Sequence, residues 1–161
     1  MISQQDDIDW RILRELQDDA RITNIELSRR VGLSAPSCLR RVRALEEAGI
    51  IRGYRALLDI HALGYEVVAF AFVGLVRQSE EELMAFGQRA AEWPIVRECH
   101  ILSGDIDFLL KCVTRDLAAF QSFIVDELTA ADNVDHVRTA LTIRSLKDDA
   151  DLPPLEQPGE P

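Results

Sequence analysis

Residues 23–55, TNIELSRRVGLSAPSCLRRVRALEEAGIIRGYR, decide the fold of the first part of this 161-residue chain. They carry the signals of two helices separated by a short turn. Thr23 and Glu26 form a T-x-x-E capping box at the start of the first helix, and Gly32 ends it as a glycine just past a helix does. Ser34 is the predicted N-cap of the next helix. This order is typical of a helix-turn-helix.

A further helix is predicted before this pair, over residues 8–20, because apolar side chains recur there at helical spacing. The third helix buries Cys38, Val42 and Leu45 on one stripe and stops at Gly49. Residues 50–58 are predicted to form a short wing or a strand that leads out of the unit.

Arginine is concentrated on this segment. Residues 28–55 hold seven arginines and two glutamates, a local net charge of +5, whereas the whole chain carries −10. A single basic patch on an acidic protein indicates a surface that meets a polyanion, and we predict that the partner is double-stranded DNA. The alternative is an ordinary solvated face, balanced by Glu46 and Glu47.

The position of each residue suggests its role on DNA. The first half of a recognition helix faces base edges in the major groove, so base contacts are predicted for part of the set and phosphate contacts for the rest. The predicted base contacts are Ser34, Ser37, Arg40 and Arg41. The predicted phosphate contacts are Arg29, Arg30, Arg43, Arg52 and Arg55.

The second part of the chain alternates strands and helices. Strands are predicted over residues 67–76, 96–102, 108–113 and 137–146. Ser79 with Glu82 begins one intervening helix, and Asp116 caps the other, whose inward residues are predicted to be Leu117, Phe120, Ile124 and Leu128. The order β-α-β-β-α-β predicts a ferredoxin-like unit, so the fold class is α+β with an N-terminal winged helix-turn-helix.

The first strand of this unit is apolar on both of its faces. Two helices cover one face of such a sheet, and the other face should be polar if it meets water. We therefore predict that the open face meets a second copy across a two-fold axis, which would present two recognition helices to DNA. The alternative is a partly apolar sheet face that stays exposed.

The two parts differ in charge as well as in pattern. Residues 1–60 contain ten basic and ten acidic side chains, whereas residues 61–161 contain eight basic and eighteen acidic ones. We predict a DNA-binding domain over residues 6–60 and an effector-binding and oligomerisation domain over residues 65–147. Residues 148–161, acidic and rich in proline, are predicted to be a disordered tail.

The chain resembles the Lrp/AsnC family of bacterial and archaeal regulators, also called leucine-responsive or feast/famine regulators. The likeness extends from about residue 6 to residue 147. It is carried by DWRIL (9–13), NIELS (24–28), VGLS (31–34), RRVRALE (40–46), GII (49–51), GY (53–54) and ECHILSGDIDFLLK (98–111). The resemblance implies a transcription regulator that forms dimers and octamers, with a small amino acid, leucine-like or related, bound between subunits.

The turn Ser103-Gly104-Asp105-Ile106-Asp107 is the candidate effector loop. A glycine lets backbone N–H groups approach a carboxylate, and an aspartate can pair with an ammonium group, so the loop offers partners for both poles of an amino acid. The predicted ligands are Ser103, Gly104, Asp105 and Asp107, with Thr139 and Thr142 on the last strand of either the same chain or a neighbouring subunit. The alternative is a plain hairpin turn. Many members of the family have an aromatic where Ile106 stands, which implies either a different ligand preference or a weak site.

Other classes of protein are disfavoured. The three cysteines form no C-x-x-C pair, which argues against zinc and for reduced thiols in a cytoplasmic protein. No stretch has the length and composition of a membrane span or a secretory leader. No catalytic constellation or cofactor fingerprint is present, so no cofactor is predicted. Two rival hypotheses remain: an architectural DNA-binding protein without an effector, and an enzyme on the ferredoxin-like unit.

Overall fold

The computed structural model describes residues 6–147 of the chain. The described part divides into two compact units, residues 6–57 and residues 58–147. The tail predicted over residues 148–161 lies outside the described residues.

The first unit consists of three helices, as predicted: α1 (Asp7–Asp18), α2 (Asn24–Val31) and α3 (Ala35–Glu47). Each helix contributes to one apolar core, which therefore fixes the angle at which α3 is presented. The buried members are Ile12, Leu27, Val31, Cys38 and Leu45.

The caps of α2 and α3 depart from the predicted pattern in one respect each. The Glu26 N–H donates to the Thr23 hydroxyl over 3.3 Å, and Gly32 ends α2 in the left-handed conformation at φ 74°. The Glu26 carboxylate does not return to Thr23, because Arg29 and Arg30 donate to it. Ser34 stands at the N-cap of α3 but its side chain makes no capping hydrogen bond. Both capping residues are therefore placed correctly, while the reciprocal bond and the Ser34 bond are not formed.

The turn between α2 and α3 is held by a side chain that the sequence pattern did not single out. The Asn24 amide donates to the Ala35 carbonyl oxygen over 2.8 Å, from the first residue of one helix to the first residue of the other. The segment after α3, residues 50–58, contains no strand, so the strand alternative for this segment is wrong. The Tyr54 hydroxyl donates to the Glu46 carboxylate over 2.9 Å and attaches this segment to α3.

The second unit has the predicted order of elements. Its strands are β1 (Val67–Leu75), β2 (Val96–Ile101), β3 (Phe108–Thr114) and β4 (Val134–Leu141). They form an antiparallel sheet in the order β2-β3-β1-β4. The helix α4 (Glu80–Glu92) follows β1, and the helix α5 (Leu117–Ser122) follows β3. The α+β class with a ferredoxin-like unit is confirmed.

One face of the sheet packs on the helices. Ala69, Ala71 and Val73 of β1 and Phe108, Leu110 and Cys112 of β3 are fully buried there. Small residues on the central strand leave room for the aromatic side chains that come from the helices. These are Phe86, Trp93, Phe120 and Phe123, and the Phe86 and Phe108 ring centroids are 4.5 Å apart.

The helix α5 continues as a π-helical segment, Phe123–Leu128. The segment buries Phe123 and Leu128 together, although these positions would point about 140° apart on an α-helix. The predicted inward set of Leu117, Phe120, Ile124 and Leu128 is wrong at Leu117, which is exposed, and it omits Phe123. The added residue of the π turn accounts for Phe123, since it changes the spacing after Ser122, whereas Leu117 lies before that turn at the first residue of α5.

The last strand is shifted from its predicted position over residues 137–146. It begins at Val134, directly after Asn133 at φ 70°, and it ends at Leu141. Beyond Leu141 a single backbone bond, from Thr142 N–H to the Val68 carbonyl oxygen, attaches the chain to β1. Ile143, the next residue, is fully exposed.

Within residues 58–147, no helix packs on the other face of the sheet. Val68, Phe70 and Phe72 of β1 and Leu109 and Val113 of β3 are half-buried on it. Charged side chains surround this apolar centre, including an ion pair of 2.9 Å between Lys111 and Glu98.

Candidate DNA and effector sites

The outer face of α3 presents the residues predicted to read bases. Arg40 is exposed and Ser37 is half-buried one turn before it, so both lie on the side of the helix away from Cys38 and Leu45. The Ser34 hydroxyl is exposed at the start of the helix and is not used as a cap. This side of α3 therefore offers one guanidinium group and two hydroxyls.

The predicted arginines separate into two groups by their ion pairs. Within residues 6–147, Arg40, Arg43, Arg52 and Arg55 are exposed and form no ion pair. Arg29, Arg30 and Arg41 each bind carboxylates of the same unit. The first group thus offers positive charge to solvent with no carboxylate in contact among the described residues.

Arg29 and Arg30 share the carboxylate of Glu26. Arg29 Nη2 lies 2.6 Å from it and Arg30 Nε lies 2.9 Å from it, while Arg30 Nη1 also contacts Glu15 at 2.8 Å. These two guanidinium groups, Arg29 first, lower the pKa of Glu26 to about 2. The four side chains are solvent-exposed to a third or more, so phosphate groups can compete for the arginines.

Arg41 points back toward α1. Its Nη1 lies 2.8 Å from Asp9 and 2.9 Å from Asp6, and its side chain is 30% exposed. The Asp9 carboxylate, and after it that of Asp6, raises the pKa of Arg41 above its ordinary value. The two partners lie 32 and 35 residues away in the sequence, and the sequence pattern gave no signal of them.

The candidate effector loop joins β2 to β3. Ser103, Gly104 and Asp105 are exposed, and Gly104 has φ 139°, a conformation that side-chain-bearing residues rarely adopt. A Cβ at Gly104 would meet no atom within 4 Å, so the backbone there is open to an approaching group. The exposed Asp105 carboxylate stands directly beside this backbone.

Asp107 differs from the other predicted ligands because it is buried. Its carboxylate accepts from the Leu75 N–H over 2.7 Å and from the Gln78 amide over 3.3 Å. Its backbone also bonds to Val73 and to Leu102. Asp107 therefore attaches the loop to the end of β1, and its carboxylate is occupied by that attachment.

The two predicted threonines lie apart from the loop. The Asp107 N–H donates to the Val73 carbonyl oxygen near the end of β1. The Thr142 N–H donates to the Val68 carbonyl oxygen, five residues earlier, near the start of that strand. Five strand residues span about 17 Å. Thr139 lines a cavity of about 310 Å³ on the helix side of β4, together with Leu117, Phe120, Gln121, Ile124, Val125 and Leu141. A single protomer thus keeps Thr142 away from the loop, whereas Thr139 pairs with Ala71, two residues from Val73, on the strand that flanks β1 opposite β3.

The cysteines and histidines form no metal centre within residues 6–147. Cys38 and Cys112 are buried and Cys99 is half-buried, and the thiols of all three are free. Burial raises the pKa of the Cys112 thiol to about 12. His100 contacts Glu98 at 3.4 Å, and His136 contacts Asp135 at 3.0 Å.

The described helices include none with the length and apolar character that crossing a bilayer requires.

Comparison with known proteins identifies both units. Residues 5–52 match the winged helix-turn-helix DNA-binding family, and residues 68–152 match the Lrp/AsnC ligand binding domain. The leucine-responsive regulatory protein of Rhizobium meliloti is 65% identical over 143 residues, which cover 89% of this chain and 92% of that protein.

Solved structures give the same result. A transcriptional regulator of Neisseria meningitidis, solved as an L-Met complex, is 36% identical with a TM-score of 0.88, over 93% of this chain and 97% of that one. An AsnC-family transcriptional regulator of Agrobacterium tumefaciens is 34% identical with a TM-score of 0.86, over 92% and 97%. The chain, with its helix-turn-helix unit and its ligand-binding unit, belongs to the Lrp/AsnC family of DNA-binding transcription regulators.

Proposed function

We propose that this regulator reads its operators through the outer face of α3 and that an amino acid, bound by the loop at residues 103–105, changes how it binds them. The observation that carries the proposal of DNA binding is a set of exposed arginines on α3 and the segment after it. These are Arg40, Arg43 and Arg52, and they form no ion pair within residues 6–147. Ser37 precedes Arg40 by one helical turn, and Ser34 is the N-cap of the same helix.

Arg40, Ser37 and Ser34 are the proposed base contacts. A guanidinium group can donate two parallel hydrogen bonds to guanine, and a hydroxyl can bond a base or a phosphate. Arg43 and Arg52 lie farther along the chain and are proposed to contact phosphates, which adds affinity without reading sequence. Arg29 and Arg30 can join them by exchanging the Glu26 carboxylate for phosphate groups.

The proposed effector is an amino acid. Support comes from the loop, which offers open backbone at Gly104 for a carboxylate and the exposed Asp105 for an ammonium group. Support also comes from relatives, since one is named leucine-responsive and another was solved with L-Met. Ile106 beside the loop is half-buried and apolar, and it suits an aliphatic side chain of the effector.

We propose a homodimer formed through the uncovered face of the sheet. Five apolar side chains are half-buried there with no helix over them, and covering them would remove apolar surface from water. Because Thr142 lies far from the loop of its own protomer, it can complete an effector site only with the loop of another copy. The dimers are proposed to assemble further, to an octamer, and the site to lie between subunits.

The proposed regulation is a coupling free energy between the two sites. An effector that binds one arrangement of dimers more tightly than another shifts their populations, whereas equal affinity for both would change nothing. The chain is proposed to work in the cytoplasm, where bacterial DNA lies, and to have no catalytic role.

Two measurements on the full chain test the proposal. Retardation of genomic DNA fragments over a series of salt concentrations should fall steeply as salt rises, and its absence for every fragment would refute DNA binding. Calorimetry with a panel of amino acids should detect binding to the wild type, loss on Asp105→Ala and no change on Glu92→Ala. Equal binding by all three proteins would remove Asp105 from the site.

A second candidate function is an architectural protein that binds DNA without a metabolite. It predicts the same retardation with no amino acid bound at any concentration, and a footprint that no amino acid changes. Mapping the bound DNA in cells with and without amino-acid-rich medium separates the two functions.

A further inference from the structure

Arg41 lies on α3 next to the proposed DNA contact Arg40, yet its guanidinium group points toward α1. One of its nitrogen atoms, Nη1, bridges the carboxylates of Asp9 and Asp6 at 2.8 Å and 2.9 Å. The Asp9 side chain is 19% exposed and that of Arg41 is 30% exposed, so the contact is partly shielded from solvent. Neighbouring Arg40 and Arg43, by contrast, are exposed and form no ion pair within residues 6–147.

The two carboxylates are themselves fixed in place. Asp6 is the N-cap of α1, and its side chain accepts from the Asp9 N–H over 2.9 Å. One Asp6 oxygen therefore caps α1 while the other contacts Arg41. A guanidinium group held between a cap and the first turn of α1 fixes the orientation of α3 against that helix.

We propose that Arg41 is a positioning residue that sets the angle of the recognition helix through Asp9 and Asp6, and that it is not a DNA contact. This inference rests on the proposed function, since it concerns how the proposed base contacts are oriented toward the DNA. Its physical basis is that a bridged pair 32 residues apart removes freedom between α1 and α3, and a small tilt of α3 would displace Arg40 from a base edge.

A DNA contact and a positioning residue respond in opposite ways when the carboxylate is neutralised. Asp9→Asn removes a negative charge near the DNA surface and frees Arg41. If Arg41 bound phosphate, affinity would rise and the dependence on salt would steepen by about 0.9 for each added contact. If Arg41 positions α3, affinity should fall about tenfold while the salt dependence stays as in the wild type.

A charge swap gives the second test and keeps the net charge unchanged. Asp9→Arg and Arg41→Asp are each expected to weaken binding to a mapped operator about tenfold, and the double variant is expected to return to within about twofold of the wild type. An aspartate at a true DNA contact would repel phosphate whatever stands at residue 9. As the matched control, Arg40→Asp should not be rescued by Asp9→Arg.

The experiment measures operator affinity by fluorescence anisotropy on the full chain, over a salt series, with thermal unfolding of each variant as the check of folding. Rescue by the swap supports the positioning role, and a double variant that is folded but as weak as Arg41→Asp alone overturns it. If the double variant does not fold, Asp9→Asn decides: tighter or unchanged binding overturns the inference. Failure of the wild type to bind any DNA would refute the proposed function instead.

Discussion

Asn133 is the one described non-glycine residue at positive φ, and its replacement tests how the end of the sheet is held together. Its side-chain oxygen accepts from the Arg77 N–H over 2.8 Å, and its amide donates to the Arg77 carbonyl oxygen over 2.9 Å. Its own carbonyl oxygen accepts from Val76 over 2.9 Å. Asn133 thus connects the chain after β1 to the start of β4.

The magnitude follows from these contacts. Both side-chain bonds are exposed to solvent, so together they should contribute about 1–2 kcal/mol to the free energy of unfolding. The left-handed conformation costs alanine about 1 kcal/mol more than it costs asparagine, and it costs glycine nothing. We therefore expect Asn133→Ala to lower the free energy of unfolding by about 2–3 kcal/mol, and Asn133→Gly by about 1–2 kcal/mol.

Urea denaturation at one fixed protomer concentration measures these differences, because unfolding of an oligomer depends on concentration. Asp132→Ala, at an exposed neighbouring position, should change the unfolding free energy by less than about 0.5 kcal/mol. Equal losses for Ala and Gly would show that the backbone carries no left-handed penalty. Losses no larger than that of the control would show that the Arg77 bonds contribute nothing.

Three further outcomes are expected. Arg43→Ala should reduce the slope of log affinity against log salt by about 0.9 per lost phosphate contact, while Arg144→Ala should leave it unchanged. Phe72→Arg should yield monomers in analytical ultracentrifugation, and Met84→Arg on α4 should not. A titration followed by near-ultraviolet absorbance should show that Tyr54→Phe lacks the phenol whose pKa is about 12. Burial first and then Glu46 raise the pKa of Tyr54 from 10.0 to about 12, so the folded state holds the phenol proton more tightly than the unfolded state does. The free energy of unfolding of the wild type should therefore fall relative to that of Tyr54→Phe as the pH rises from 10 toward 12.

The sequence was most informative where the decisive interactions are local. Thr23, Ser79 and Asp116 each accept an N–H three residues ahead, and each begins its helix as predicted. A cap and its partner lie within one turn, so the pattern contains both of them. The buried face of β1 could not be chosen in this way, because the side chains on both of its faces are apolar.

The predictions from sequence were wrong where a residue has several possible partners. Glu26 could have bonded back to Thr23, but two guanidinium groups of its own helix hold it. An ion pair with arginine outcompetes a neutral N–H for a carboxylate, and a capping motif does not contain that information. The π segment is a different case, because the added residue changes the helical spacing and buries Phe123 together with Leu128.

The candidate site shows the same limit at a longer range. The loop could be recognised from Gly104 and Asp105, but the sequence pattern could not tell that Asp107 turns inward to the Leu75 N–H. Only the strand register shows that Thr142 lies at the opposite end of β1 from that loop. A site that needs the loop and both threonines therefore needs two copies of the chain. If a variant confined to monomers by Phe72→Arg still bound amino acids with wild-type affinity, the shared site would be excluded and the loop alone would have to bind the effector.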